Sequence, residues 1–343
     1  MHFDYRPIAL ALALLCPSFA YAAGFRVVDA PPHAARDIAK LEPRTILLSD
    51  HGSDELTDGT VGLVRFEEWS RERPVQKQLL SLYPDYQEPT VNVTVNGLTK
   101  RYKEKLHVYV AEARFLLDKA PGAVDLSRYT TPEFLQTIDP AIKHRRIGAS
   151  EAVPNRDPEF AYNKRPDRGW CEDPRSLCVL SRYQLEGKLP VGIRLANKLQ
   201  DGGKSIDDFL EFQSELRPLS AEEAAGAELQ KLTGLDTRIV GALEQSLFHV
   251  NQVIQSGKLL AVLQEHPSNA DRTVATVFMT LAIESDVLER KKEYERVPVL
   301  RNMVPAQVLM GNSSFNTGTS ISAGLPSYTR NRIKALASGL EAP

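Results

Sequence analysis

Apolar and polar residues alternate along several stretches of the chain, and the alternation predicts most of its elements. From Val179 to Leu189, Val179, Ser181, Tyr183, Leu185 and Leu189 fall on one face while Arg182, Gln184, Glu186 and Lys188 fall on the other, the pattern of a half-buried strand. A second stretch repeats it, with Leu210, Phe212 and Leu216 opposing Glu211, Gln213, Glu215 and Arg217. Residues 246–266 and 272–284 are rich in Val, Leu, Ile, Phe and Thr and are separated by the turn-forming Pro267 to Asp271, which predicts an antiparallel hairpin. In the second of these, Ala275, Val277, Met279, Leu281 and Ile283 share one face, and Thr276 and Thr280 share the other with Val274 and Phe278.

Helical spacing takes over elsewhere. Thr131, Pro132 and Glu133 mark a helix start, Phe134, Leu135 and Ile138 form its face, and Pro140 ends it. Leu195 and Leu199 ahead of Gly202 predict a short helix, and Ser220 with Glu223 makes a capping box for a helix running to about Leu232 and stopping at Gly234. Pro326 reads as the start of a terminal helix whose stripe is Thr329, Ile333, Leu336 and Leu340.

The N-terminal half is more mixed. Thr45 to Leu48 is a short apolar run in an otherwise loop-like segment and reads as an isolated strand. Phe66, Trp69, Val75, Leu79 and Leu82 suit two short helices opened at Pro74. Val91, Val93 and Val95 ahead of Asn96 and Gly97 predict a tight hairpin. Residues 104–118 fit either period: Leu106, Tyr109, Val110, Ala113 and Leu117 favour a helix, whereas Val108 with Val110 favours a strand, and the helix is preferred.

These elements define an α+β chain in which an antiparallel sheet is covered by a C-terminal helix, with a smaller mixed helical and hairpin region before it. The expected division is a signal peptide at 1–22, the N-terminal region at 23–150, a proline-rich connection at 151–176 (Pro154, Pro158, Pro166, Pro174) and the sheet domain at 177–343. The order strand, helix, strands, long terminal helix resembles that of helix-grip, START-like lipid-binding folds; the helix at 221–232 interrupts the order, and no residue motif carries the resemblance.

Compartment follows from the first residues. Arg6, the apolar run Ile8 to Leu15, and Ala20, Tyr21, Ala22 form a signal peptide cleaved after Ala22, which predicts a periplasmic or secreted protein. Cys16 lies inside the leader, and the large Leu15 before it disfavours lipidation. Cleavage leaves only Cys171 and Cys178, which predicts one disulfide with a structural role. No stretch reaches the ~20 apolar residues of a membrane span. A net charge of −2 gives no reason to expect nucleic acid as a partner, and the clusters Lys143 to Arg146 and Arg290 to Lys292 read as solvated helix faces.

Chemistry is sparse. There is no phosphate-binding loop, zinc-protease motif or nucleophile elbow, and neither a metal nor a cofactor is expected. Asp50, His51, Asp54, Glu55 and Asp58 read as an acidic turn, with a metal site or carboxylate pair as the rival. Ser313, Ser314, Asn316, Thr317, Ser320 and Ser322 read as a loop, with the rim of a ligand pocket as the alternative and a nucleophilic serine disfavoured, since no histidine lies between His266 and Ser313 or after it. His249 and His266 read as structural.

Two functions are therefore expected in order. The first is an exported binding or interaction protein, with an apolar small molecule held between sheet and terminal helix, or a protein partner, and with Phe278, Met279, Ser313 and Asn316 as candidate ligand contacts. The second is a periplasmic hydrolase using a carboxylate, a histidine or a serine.

Overall fold

The computed structural model describes residues 24–30, 38–50, 90–95, 98–103, 106–140, 142–156, 168–184, 209–250, 254–284 and 321–342. The leader, the helices expected at 66–82 and 191–203, the Asn96–Gly97 turn, Arg290 to Lys292 and the serine-rich segment around Ser313 and Asn316 lie outside them.

Eleven strands are described: β1 (Arg26–Asp29), β2 (Thr45–Asp50), β3 (Thr90–Val95), β4 (Leu98–Lys103), β5 (Leu106–Leu117), β6 (Lys143–Arg146), β7 (Leu177–Gln184), β8 (Phe209–Leu219), β9 (Ile239–Val250), β10 (Ile254–Glu265) and β11 (Thr273–Glu284). Five α-helices accompany them: α1 (Pro132–Ile138), α2 (Val153–Arg156), α3 (Ala221–Ala224), α4 (Ala227–Thr233) and α5 (Ile321–Glu341). Nine strands form one sheet in the order β1-β2-β5-β11-β10-β9-β8-β7-β6, and β3 pairs with β4 as the expected hairpin. All neighbours in the large sheet are antiparallel except β1 and β2, which are parallel.

Several elements differ from the sequence reading. Residues 106–117 are a strand, fully paired with β11 from Leu117↔Thr273 to Leu106↔Glu284. Both faces of this strand are covered: Ala111, Ala113, Phe115 and Leu117 enter the main core, while Leu116 enters a second cluster with Leu41, Leu47, Leu235 and Val274. A strand buried on both sides has apolar residues at almost every position, so helical spacing appears in it by coincidence. Thr45–Asp50 is not isolated, since it bridges β1 and β5. The run 246–266 is split between β9 and β10, and only β10 with β11 forms the expected hairpin, closed by Asp271 N donating to Asn269 Oδ1 (3.0 Å). Lys143 to Arg146 is an edge strand rather than a helix face, with Lys143, Arg145 and Arg146 exposed; charge on an edge opposes pairing with a further strand.

The capping box at Ser220 forms as expected: Glu223 N donates to Ser220 Oγ (3.2 Å) and Ser220 N donates to Glu223 Oε2 (2.8 Å). The helix it opens breaks at Ala225 and Gly226 and resumes as α4, which ends at Gly234 in the left-handed region (φ 65°). Pro326 lies inside α5, five residues beyond its first residue, instead of opening it.

Strands from both sides of the 151–176 connection share the large sheet, so the connection divides the sequence without dividing the sheet. Its described residues are pinned to the face away from α5. Cys171 and Cys178 are bridged, with Cα atoms 5.6 Å apart, and the Trp170 ring stacks on Phe248 at 4.6 Å. Asn155 receives Trp170 N (3.0 Å) and donates to Trp170 O (2.9 Å), and Arg168 pairs with Glu215 at 2.9 Å. This packing buries Gln213 and Glu215, which the alternation placed on a polar face; Gln213 Oε1 instead accepts from Val153 N (2.9 Å).

Candidate ligand-binding site

The other face of the sheet is gripped by α5. Ile333, Leu336, Ala337 and Leu340 pack on Ala111, Ala113, Phe115, Leu259, Ala261, Leu263, Ala275, Val277, Met279 and Leu281, and Phe134, Leu135 and Ile138 of α1 close the side. The C-terminal end of α5 is fastened by Tyr129 Oη donating to Leu340 O (2.8 Å). Burial there pushes the Tyr129 phenol up from its ordinary pKa, which keeps it a neutral donor.

Exposure stays low along this interface. Leu243, Ala261 and Val277 are between 0% and 1% exposed; two residues further on the same strands, Gln245, Leu259 and Met279 are 4–5% exposed. Those last three are register partners, Gln245↔Leu259 and Leu259↔Met279, so they form a single row across three strands.

Polar groups gather at the β9 end of that row. Arg332 of α5 is fully buried and donates to Asp139, the residue that ends α1, and to Gln245 Oε1. Burial lowers the Arg332 pKa to about 9, still well above neutrality, so the guanidinium keeps its charge. Gln245 Nε2 donates to Ser214 Oγ (3.2 Å), which fixes the amide orientation. Thr329, one turn before Arg332 on the same helix face, is 0% exposed, and its hydroxyl has no hydrogen-bond partner among the described residues. Further towards the edge, His144 Nδ1 and Ser181 Oγ are 2.9 Å apart, and burial pushes the His144 pKa down, so the ring is neutral at pH 7. Polar side chains thus run along the helix-facing side of β6, β7, β8 and β9 to meet Arg332, beside an apolar floor.

The candidate contacts separate on this frame. Met279 faces α5 and joins the main core, whereas Phe278, its neighbour in the strand, points to the opposite face, so the two do not line one cavity. Ser313 and Asn316 are outside the described residues, as are His51, Asp54, Glu55 and Asp58. His266 sits in the β10–β11 turn, where its Nδ1 accepts from Ser268 N (3.2 Å). Among the described residues no group of three or more His, Cys, Asp or Glu side chains is placed to hold a metal ion, and no helix is long and apolar enough to cross a membrane.

Sequence reasoning missed Arg332, Gln245, Ser214, Asp139 and the His144–Ser181 pair. One signal was present: Arg332 interrupts the stripe Thr329, Ile333, Leu336, Leu340, and a charge on the buried stripe of a helix needs a partner inside.

No protein-family model and no curated protein matches the chain. Two solved structures of norcoclaurine synthase are similar to it: the enzyme from Thalictrum flavum in complex with dopamine and hydroxybenzaldehyde, and a point mutant with a transition-state analogue. Identity is 9% in both, with TM-scores of 0.28 and 0.27; 67% of this chain aligns with 87% and 97% of theirs. At so low a TM-score the function has to be argued from this chain's own residues.

Proposed function

We propose that this is an exported binding protein which holds a small apolar molecule between its sheet and its terminal helix, in the manner of a helix-grip fold. The observation that carries the reading is the buried row Gln245, Leu259, Met279, where an apolar floor meets buried polar groups under α5. Binding sites for small molecules are mostly apolar with a few fixed polar groups, and the Arg332, Gln245 and Ser214 chain is such a set. Export is supported by the leader sequence and by the formed disulfide, which persists in oxidising compartments.

Native mass spectrometry of the full chain, purified from the periplasm without detergent, tests the binding reading. The expected result is a reproducible adduct that leaves on denaturation and is reduced by Met279→Trp, which fills the floor. Protein that is empty in repeated preparations, and takes up no apolar probe when offered one, contradicts it. Fractionation tests export: mature protein beginning at Ala23 in the periplasm or medium is expected, and uncleaved protein in the cytoplasm refutes it.

A further inference from the structure

We infer that the bound molecule carries a single carboxylate, which Arg332 takes in exchange for Asp139 while the Thr329 hydroxyl donates to it. This rests on the binding function proposed above and names the chemistry of the ligand's head.

The pairing of Arg332 is of a kind that favours exchange. Its guanidinium has five donors in a planar fork that fits a carboxylate, and among the described residues Asp139 supplies the one carboxylate against it. Asp139 ends a helix of seven residues and is 11% exposed at its side chain, whereas Arg332 is 3% exposed, so the acid is the partner with a route to water. Replacing one carboxylate by another keeps the buried charge balanced, and a released Asp139 recovers its hydration. An uncharged head gains nothing comparable from Arg332. A dianionic phosphate would bring a second negative charge that this guanidinium does not match.

Thr329 supplies the independent observation. A buried hydroxyl without a partner among the described residues carries a desolvation penalty that none of them offsets. It lies one turn from Arg332 on the same face, so a carboxylate with one oxygen on the guanidinium has the other oxygen within the span of that turn. Gln245, held by Ser214, keeps the guanidinium in place while its acid partner changes. From Gln245 the row continues to Leu259 and Met279, two strand spacings or about 10 Å away, which is the path of an apolar tail.

The test uses the purified full chain, stripped of bound lipid, with myristate, 1-tetradecanol and methyl myristate as probes at pH 7.5, read by calorimetry and native mass spectrometry. The wild type is expected to bind myristate at least tenfold more tightly than either uncharged probe. Asp139→Asn removes the competing acid and should tighten myristate about tenfold without changing 1-tetradecanol, an effect that a purely structural Asp139 would not produce. Thr329→Val should weaken myristate alone. Arg332→Gln combined with Asp139→Asn leaves no buried charge unpaired and should bring the three probes to equal affinity, with melting curves verifying that each variant is folded. Equal affinity of the wild type for all three probes, or an Asp139→Asn variant with no gain for myristate, overturns the carboxylate and leaves the apolar binding function standing. Failure of every probe to bind overturns both.

Discussion

Expressing residues 165–343 alone removes β1, β2, β5, β6 and α1 from a sheet and core to which they belong. Five of the side chains lost, Ile46, Leu48, Phe115, Leu117 and Leu135, are each 0% exposed in the intact chain. At roughly 1.5–3 kcal/mol per buried large apolar side chain, their loss amounts to roughly 8–15 kcal/mol, as large as the whole stability of an ordinary domain. Two further penalties point the same way. β11 loses one of its two neighbours along all twelve of its residues, and Arg332 loses Asp139, leaving a buried charge with an amide oxygen as its remaining partner among the described residues. The fragment is therefore expected to lack a cooperative thermal transition by circular dichroism and to show little amide protection in hydrogen exchange. Adding residues 24–160 in trans should restore both to some degree. A 165–343 fragment that melts cooperatively within a few degrees of the full chain would refute the reasoning and make the 151–176 connection a true domain boundary.

Other outcomes follow from single contacts. Phe278 is 1% exposed, so Phe278→Ala should cost about 3–5 kcal/mol in urea unfolding; a loss below about 1 kcal/mol would mean that it borders a void. Intact mass with alkylation should find no free thiol in the mature protein, and Cys171→Ala with Cys178→Ala should cost about 2.5 kcal/mol; two alkylatable thiols in protein taken from its native compartment would contradict the bridge. Arg175 and the Ser220 amide hold Glu223 down at about pKa 2, so this contact contributes its full stability above the unfolded pKa near 4.5 and loses it as pH falls through about 2. Because Arg175 is half exposed, solvent screens the contact and the contribution is small, read as the difference between wild type and Arg175→Ala from pH 6 to pH 2; parallel curves would show no such linkage.

The parts of the fold legible in the sequence were those with a local cause. The Ser220 box, the Thr131 cap with Pro132, the turn between β10 and β11 and the stripe of α5 each depend on residues a few positions apart. β5 was misread because the facts that make it a strand are distant: β11 lies on one side, β2 on the other, and both faces are covered. Gln213 and Glu215 looked solvent-facing for the same reason, since their cover is supplied by Glu151, Val153 and Arg168. The site was legible only as Met279 and the helix that faces it. Its polar groups come from α1, β8, β9 and α5, and no spacing in the chain announces that they meet.

The pairing of β5 with β11 joins residue 106 to residue 284, and the helix that completes the core follows only at Ile321–Glu341. A ribosome must therefore have released residue 341 before the core can close. Contacts of such long sequence separation are slow to form, because the entropy of closing the loop is lost before any contact repays it. Until α5 arrives, the apolar face from Ala111 to Leu281 stays open to other chains, so refolding yield should fall steeply with protein concentration, and a chain truncated before residue 321 should aggregate rather than wait.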